Sequence, residues 1–196
     1  MYSQHDEEKI ILDAVGGLNA ADRTVLDIGA YDGVGKSNSR ALIERGWRAF
    51  LVEAAVGPFE KLLALYAGNP RVTLLHAAMG PENRIVEFFD YGMEQAGTTI
   101  EAQCAKWSGL TPRRYWVPQV TVRTMLAQLG GSADVLTIDT EGSSFEILRD
   151  CPVDAWCPAV IVVEHDGRMS EISAWGREKR YKVVAVNGEN MVLRPA

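Results

Sequence analysis

Residues 24–33 read TVLDIGAYDG, a short aliphatic run that ends in a glycine-rich turn. A short apolar run bounded by glycines is typical of a buried strand, and the next segment, SNSRALIERG (37–46), favours a helix. Ser37 or Asn38 can cap this helix, and Gly46 can end it. The stretch therefore predicts a strand, a tight turn and a helix in succession.

The same alternation continues along the chain. Further strands are predicted at RAFLVEA (48–54), RVTLLHAAM (71–79), ADVLTID (133–139) and AVIVVEH (159–165), with helices at 58–68, 143–150 and 169–180. The last run, YKVVAVNGENMVLRP (181–195), predicts a β-hairpin through Asn187-Gly188, because both residues tolerate positive φ. This order predicts an α/β, Rossmann-like sandwich: a parallel sheet covered on both faces, with one antiparallel strand added at its edge.

The stretch from 81 to 119 is less regular. RIVEFFDY (84–91) is predicted as an extra strand and 92–118 has no firm period, after which strand VTV (120–122) and helix RTMLAQLG (123–130) resume the pattern. We expect a single domain over 1–196, with an N-terminal helical extension over 1–22. In that domain, 81–119 is an insertion or lid between the third and fourth strands.

Composition limits the classes of protein. The 196 residues are 47% hydrophobic and 23% charged with a net charge of −6, as in a soluble globular domain that does not bind nucleic acid mainly by neutralising phosphates. The three cysteines show no CxxC spacing, so neither a disulfide framework nor a thiolate zinc site is indicated. The polar N-terminus and the lack of a long apolar run predict a cytoplasmic protein.

In parallel sheets, ligands bind outside the carboxyl ends of the strands, which here are followed by GAYDGVGKS, EAA, HAAMG, DTEGS and EHDG. A dinucleotide fingerprint fails, because it would need glycine at Tyr31 and Val34. Residues 30–37 (AYDGVGKS) fit a relaxed P-loop pattern. The carboxylates of Asp27 and Asp32 would, however, repel a polyphosphate.

S-adenosylmethionine fits these charges better, because its sulfonium and ammonium groups are cationic. Asp27 and Asp32 can attract its methionine part, and Glu53 at the end of the second strand can accept hydrogen bonds from both ribose hydroxyls. The opposing interpretation is that Asp27 caps a turn and Glu53 is solvated. The predicted cofactor-binding residues are Asp27, Gly29, Ala30, Tyr31, Asp32, Gly33, Ser37, Asn38, Glu53, Ala54, Ala77, Ala78 and Asp139.

Several of these motifs together resemble the FkbM-type family of S-adenosylmethionine-dependent methyltransferases. They are VLDIGAYDG, GWRAFLVEA, VTLLHAAMG, PAVIVVEHDG and above all VLTIDTEGSSFEILRDC, with its D-x-E-G after the fourth strand. The resemblance implies a seven-stranded class I methyltransferase fold and methylation of a hydroxyl on a sugar or secondary metabolite. Tyr31 and Ala54-Ala55 depart from the usual residues of the family around the adenosine.

A hydroxyl acceptor must lose its proton, and four candidate bases follow strands four and five: Asp139, Glu141, Glu164 and His165. We predict Asp139 and Glu141 as the catalytic pair. The alternative for Glu141 is a carboxylate that stabilises a helix N-terminus. No metal is predicted, because adjacent strand residues such as Glu164 and His165 point to opposite faces.

The predicted partner is a small hydroxylated acceptor rather than nucleic acid or membrane. Arg113-Arg114-Tyr115-Trp116 is either part of an acceptor lid that recognises an anionic or sugar substrate, or a solvated loop. Two alternatives stay open for the whole chain: a P-loop nucleotide-binding protein and a non-catalytic protein that binds S-adenosylmethionine.

Overall fold

The computed structural model describes residues 2–16, 23–92, 97–107 and 109–196. Its strands are β1 (Thr24–Ile28), β2 (Arg48–Glu53), β3 (Val72–His76), β4 (Ala78–Met79), β5 (Arg84–Asp90), β6 (Gly97–Thr98), β7 (Arg113–Val120), β8 (Val135–Ile138), β9 (Val160–Glu164), β10 (Tyr181–Val186) and β11 (Asn190–Pro195). Its helices are α1 (Glu7–Val15), α2 (Arg40–Glu44), α3 (Val56–Leu65), α4 (Val122–Leu129), α5 (Ser144–Asp150), α6 (Val153–Trp156) and α7 (Met169–Glu178), with a 3₁₀ helix at Glu101–Trp107.

Seven strands form the main sheet in the order β10-β11-β9-β8-β1-β2-β3. Strands β1, β2, β3, β8 and β9 are parallel, and β11 is antiparallel to both of its neighbours. The predicted Rossmann-like fold and C-terminal hairpin are confirmed. The expected edge position of the antiparallel strand is wrong, because the hairpin folds back so that β11 pairs with β9 and leaves β10 at the edge.

The central strands are buried on both faces, as a parallel sheet between two layers of helices requires. Alternate residues of β1 separate into the two layers: Val25 packs with Leu42 and Leu62, whereas Leu26 packs with Leu148 and Ile172. The winding of the sheet reverses between β1 and β8. The carboxyl ends of these two strands therefore border the crevice in which such sheets bind ligands.

A second, four-stranded sheet has the order β4-β7-β5-β6. The strand predicted at RIVEFFDY is confirmed as β5. The strand predicted at VTV is wrong: β7 ends at Val120, and the Thr121 hydroxyl accepts a hydrogen bond from the Thr124 N–H at the start of α4. The longer β7 was hidden because Pro118 interrupts an otherwise alternating run, and proline lacks the N–H that a ladder uses.

Helix α1 lies within the predicted N-terminal extension. Its Glu7 side chain is buried and accepts hydrogen bonds from the side-chain amides of Asn187 and Asn190, which joins α1 to the terminal hairpin. Residues 17–22 lie outside the described residues. Across the described ranges, none of the helices has both the length and the apolar character that crossing a bilayer requires.

Candidate functional site

A cavity of about 340 Å³ lies at the carboxyl ends of β1, β2 and β8. Its other wall comes from the second sheet and the segment beside it. The lining residues fall into these two groups: Ile28, Gly29, Tyr31, Val52, Glu53, Ala54, Ala55, Gly57, Pro58, Lys61, Ala77, Asp139, Thr140, Glu141 and Ser143 on the main-sheet side, and Ala78, Met79, Phe88, Asp90, Gly92, Gly97, Thr98, Thr99 and Arg113 on the other. The crevice predicted at the strand ends is thus a cavity bordered by both sheets.

A small polar cavity of about 20 Å³ lies beside the first. Its lining includes Asp27, Ala30, Lys36, Ser37, Asn38 and Thr137, and it shares Gly29, Tyr31 and Asp139 with the large cavity. The Asn38 Oδ1 atom is buried and has no hydrogen-bond partner among the described residues. A polar group of a ligand that reached this cavity would find an unused acceptor near it.

Gly29 sets the distance between the two strand ends. It has a φ of +82°, and a Cβ atom there would lie 1.6 Å from the Asp139 carbonyl oxygen. The Asp139 N–H donates to the Ile28 carbonyl at 2.9 Å, which fixes the two loops side by side. The position admits only glycine, because any side chain would collide with backbone that has no room to move.

Asp27 is 5% exposed and is directed into the protein interior. Its carboxyl group accepts hydrogen bonds from the Ser39 hydroxyl at 2.5 Å and from the Thr137 hydroxyl. Burial raises the pKa of this carboxyl above its ordinary value. Asp27 therefore joins β1 to β8 and to the residue before α2, and reaches the ligand space only at the small cavity.

The structure places Asp32 and Gly33 outside the lining of both cavities. Asp32 Oδ1 accepts from the Val34 and Gly35 N–H groups at 2.9 and 3.0 Å, so its side chain orders the turn after β1. Its other oxygen lies 3.7 Å from the Lys61 ammonium. The remaining predicted cofactor residues line one cavity or both.

Glu53 lies at the bottom of the large cavity and is 9% exposed. One carboxylate oxygen accepts from the Tyr31 N–H at 2.9 Å and the other from the Ala55 N–H at 2.7 Å. Burial raises the pKa of Glu53 to about 7, against the opposing effect of these hydrogen bonds. The opposing sequence interpretation, a solvated Glu53, is wrong. The group is a buried acceptor with lone pairs left for a ligand.

Three of the four candidate bases converge. Asp139, Glu141 and Glu164 each place a carboxylate oxygen within 4.8 Å of the others. Burial first, and then the negative charges of Glu164 and Glu141, raise the pKa of Asp139 well above its ordinary value. Such a group favours a proton or a cation, and its oxygens are also the ligand type of a hard divalent metal ion.

The geometry around this cluster is specific. Glu141 has a φ of +50°, a left-handed conformation that is strained for a residue with a side chain. Glu164 accepts hydrogen bonds from the Glu141 N–H at 3.2 Å and the Ser144 hydroxyl at 3.1 Å. His165 is directed elsewhere, because its Nδ1 accepts from the Gly167 N–H at 3.0 Å. Glu164 and His165 thus point apart, as the alternation of strand residues predicts.

The wall formed by the second sheet carries residues that the sequence did not single out, namely Phe88, Asp90, Thr98 and Thr99. A partial signal was present in RIVEFFDY, where the buried Val86 and Phe88 stand on either side of the more exposed Glu87, although Phe89 is buried as well. Arg113 of the RRYW segment also lines the cavity. The sequence could not show which wall these residues face, because that depends on the pairing of β5 with β7.

Comparison with known families agrees with this arrangement. The sequence model of the methyltransferase FkbM domain matches residues 27–184, which is well over half of the chain. The protein belongs to the FkbM methyltransferase family. Its family and its fold support S-adenosylmethionine-dependent methylation, and they do not favour the P-loop alternative.

Solved structures share the fold at low identity. The FkbM methyltransferase from Methylobacillus flagellatus KT is 12% identical with a TM-score of 0.59, and the match covers 92% of this chain and 47% of that one. This chain therefore spans about half the length of that structure. Magnesium protoporphyrin IX methyltransferase from Synechocystis PCC 6803, solved with bound SAM, is 11% identical with a TM-score of 0.51. The match covers 97% of this chain and 78% of that one.

A putative RNA methyltransferase from Pyrococcus horikoshii is 9% identical with a TM-score of 0.52, covering 97% of this chain and 83% of that one. The expected exclusion of nucleic acid as a partner therefore has no support from the fold. No curated protein matches the sequence significantly.

Proposed function

We propose that the protein transfers a methyl group from S-adenosylmethionine to a hydroxyl group of a small acceptor, such as a sugar or a secondary metabolite. The observation that carries this is the pair of adjoining cavities that share Gly29, Tyr31 and Asp139 in their linings. The small one is polar and contains an unpaired acceptor, and the large one has a buried carboxylate beside two alanines. A molecule whose nucleoside end lies in the large cavity and whose charged amino-acid end points toward the small one suits this arrangement.

The residues fit this cofactor in three places. Asn38 Oδ1 accepts from the ammonium of the methionine part, in a cavity lined by the two carboxyl groups of Asp27 and Asp139 and by one basic residue, Lys36. Glu53 accepts from the ribose hydroxyls. Ala77 and Ala78, which are almost fully buried, leave space beside the adenine ring. When bound, the cofactor supplies an electrophilic methyl group on a sulfonium.

Asp139 and Glu141 line the large cavity together with residues of the second sheet. We place the acceptor against this second-sheet wall, which we call the acceptor wall. In this proposal Asp139 and Glu141 hold the acceptor hydroxyl and take its proton as the methyl group passes from the sulfonium sulfur to the oxygen. The O–H and S–CH3 bonds break, and an O–CH3 bond and a carboxyl O–H bond form. Because burial and the neighbouring carboxylates raise the pKa of Asp139, its ionised form is a stronger base than an ordinary aspartate. Glu164 positions Glu141 through the hydrogen bond from its N–H group.

Calorimetric titration with S-adenosylmethionine, its demethylated product S-adenosylhomocysteine, and ATP with magnesium tests the cofactor assignment. We expect micromolar binding of the first two and none of ATP. Glu53→Gln should weaken this binding at least tenfold at pH 8, whereas Glu60→Gln, an exposed carboxylate on α3, should leave it unchanged. Magnesium-dependent ATP binding without a response to the methyl donor would refute the proposal.

Catalysis has its own test. The protein is incubated with S-adenosylmethionine and a panel of hydroxylated sugars and metabolites, and demethylated cofactor is quantified. Turnover that depends on an acceptor identifies an enzyme. Tight cofactor binding with no turnover across the panel would favour the non-catalytic alternative.

A further inference from the structure

Arg113 is the first residue of β7, and it lines the wall of the large cavity that belongs to the second sheet. Within the described parts of the chain, no hydrogen bond or ion pair to its guanidinium is found. The adjacent Arg114 is different: its Nε and Nη2 atoms bind the two Glu87 oxygens at 3.0 and 2.8 Å, and it lies over the Phe89 ring at 5.4 Å. Two consecutive arginines thus have separate roles.

The carboxylate nearest to Arg113 in the ladder is hydrogen-bonded to groups other than Arg113. Asp90 is the register partner of Arg113 across β5 and β7. Its Oδ1 accepts from the Gly92 N–H at 2.7 Å and its Oδ2 from the Tyr115 hydroxyl at 3.3 Å. Tyr115 also accepts from the Val56 N–H at 3.1 Å, so these bonds hold Asp90 to its own loop and to α3.

The guanidinium of Arg113 differs from the other charged groups that line the cavity. Lys61, the second basic residue in the lining, is paired with Asp32. The opposite part of the cavity holds the carboxyl groups of Glu53, Asp139 and Glu141. The Arg113 wall also carries the carboxylate of Asp90, so it holds one positive and one negative charge against three carboxyl groups on the other side. An anionic group is therefore repelled less on the Arg113 side, and the charges of the cavity can orient a ligand that carries both a hydroxyl and an anionic group.

The distance between Arg113 and the backbone beside Glu141 suits one small molecule. Strands β7, β5 and β6 lie side by side, and Thr98 of β6 donates to the Glu141 carbonyl at 3.3 Å. Strands β7 and β6 are two positions apart in this sheet, so they are separated by about 10 Å. An extended arginine side chain covers part of that distance, and a sugar-sized acceptor covers the rest.

We propose that Arg113 binds a carboxylate or phosphate group of the acceptor, and that the substrate is therefore a hydroxylated anion rather than a neutral sugar. This inference rests on the proposed function, because it names the substrate class of the same site. The planar guanidinium presents two parallel N–H groups, which match the two oxygens of either anion.

The test compares three probes with the protein saturated with S-adenosylhomocysteine: glucose, glucuronate and glucose 6-phosphate. Calorimetry should show that at least one of the two anions binds ten or more times tighter than glucose. The difference between the carboxylate and the phosphate identifies which anion is preferred. Arg113→Gln should remove the advantage over glucose, and Arg113→Lys should keep only part of it, because lysine retains the charge but not the paired donors.

Arg114→Gln is the matched control, since it removes a neighbouring guanidinium that is bound to Glu87 on the other face. It should leave all three affinities unchanged. Binding of S-adenosylhomocysteine to each variant is measured first, and its failure in the unmodified protein counts against the proposed function instead. Where that binding is intact, anions that bind no better than glucose, or an advantage that survives in Arg113→Gln, would overturn the inference.

Discussion

The Glu53 carboxylate accepts a hydrogen bond from the Tyr31 N–H at 2.9 Å, and this bond joins the end of β2 to the turn that follows β1. The same carboxylate faces the cavity in which we place the ribose. One buried group therefore shapes the turn and also contacts the ligand, and its protonation state affects both.

Cofactor affinity should depend on pH. Ribose hydroxyls donate to the ionised carboxylate, and the pKa of Glu53 is about 7 in the free protein. The ionised fraction falls about tenfold between pH 8 and pH 6, so the affinity for S-adenosylhomocysteine should fall about tenfold as well. Calorimetry across this range checks the slope. A flat profile would show that Glu53 does not bind the ribose as an anion.

The stability of the ligand-free protein should show the opposite trend. The pKa of Glu53 is raised in the folded state above its ordinary value of 4.5, so the folded state holds the proton more tightly than the unfolded chain. The contribution of this group is present below pH 4.5 and is lost as the pH rises to about 7. Burial of Asp139 and Asp27 acts in the same direction.

Urea denaturation at pH 5, 6, 7 and 8 measures this trend. The free energy of unfolding attributable to Glu53 is the difference between the unmodified protein and Glu53→Gln at each pH. We expect the unmodified protein to lose stability relative to this variant as the pH rises. A constant difference between the two would contradict the buried, neutral carboxyl.

Replacement of Gly29 by alanine should be far more damaging than replacement of Gly46. Both residues have a positive φ, +82° and +86°, but a Cβ at Gly29 would overlap the Asp139 carbonyl, whereas nothing lies within 4 Å at Gly46. Gly46→Ala should cost about 1 kcal/mol from the backbone conformation alone. Gly29→Ala should cost at least ~3 kcal/mol and abolish cofactor binding.

Thermal and urea denaturation of the two variants, followed by calorimetry with S-adenosylhomocysteine, makes the comparison. Equal effects of the two substitutions would show that the backbone after β1 relaxes, and that the contact between Gly29 and Asp139 does not constrain the site.

Asp27→Ala should lower the free energy of unfolding by about 1–3 kcal/mol, because it leaves the buried hydroxyls of Ser39 and Thr137 without their acceptor. Asp13→Ala, an exposed residue of α1, serves as the control and should change stability little. If Asp27→Ala instead weakens cofactor binding without loss of stability, its main role is contact with the ligand.

Asp139→Asn and Glu141→Gln should each lower the rate of methyl transfer by a factor of about 10² to 10⁴, the usual range for loss of a general base. The affinity for S-adenosylhomocysteine should change much less for Glu141→Gln than for Asp139→Asn, since Asp139 lines both cavities and Glu141 only the large one. Single-turnover rates with an identified acceptor provide the measurement. Glu60→Gln should retain full activity.

Most of the site residues that could be predicted from the sequence lie at the carboxyl ends of the parallel strands. Parallel strands bring their carboxyl ends to one edge, so the proximity of Asp139 and Glu164 follows from two correctly predicted strands. The separation of Glu164 from His165 follows from strand alternation. In contrast, Asp32 lies outside the lining of both cavities, because its side chain accepts hydrogen bonds from the Val34 and Gly35 N–H groups. Residue type alone does not specify that outcome.

The second sheet was harder to predict. Pro118 masked the alternation of β7, and the pairing of β7 with β5 depends on contacts between residues that are distant in the sequence. For that reason the wall with Phe88, Asp90 and Thr98 was not identified from the sequence. The sequence also did not decide whether Arg113 belongs to an acceptor lid or to a solvated loop.

A single residue, Ala77, separates β3 of the main sheet from β4 of the second. Ala77 is 1% exposed, and its N–H donates to the Glu53 carbonyl at 3.1 Å. The two walls of the large cavity are therefore held at a set distance at this end by continuous, hydrogen-bonded backbone. The residues there are already as small as alanine. The thickness of the flat ring that can enter is thus determined by the main chain, and side-chain substitutions can narrow this opening but hardly widen it.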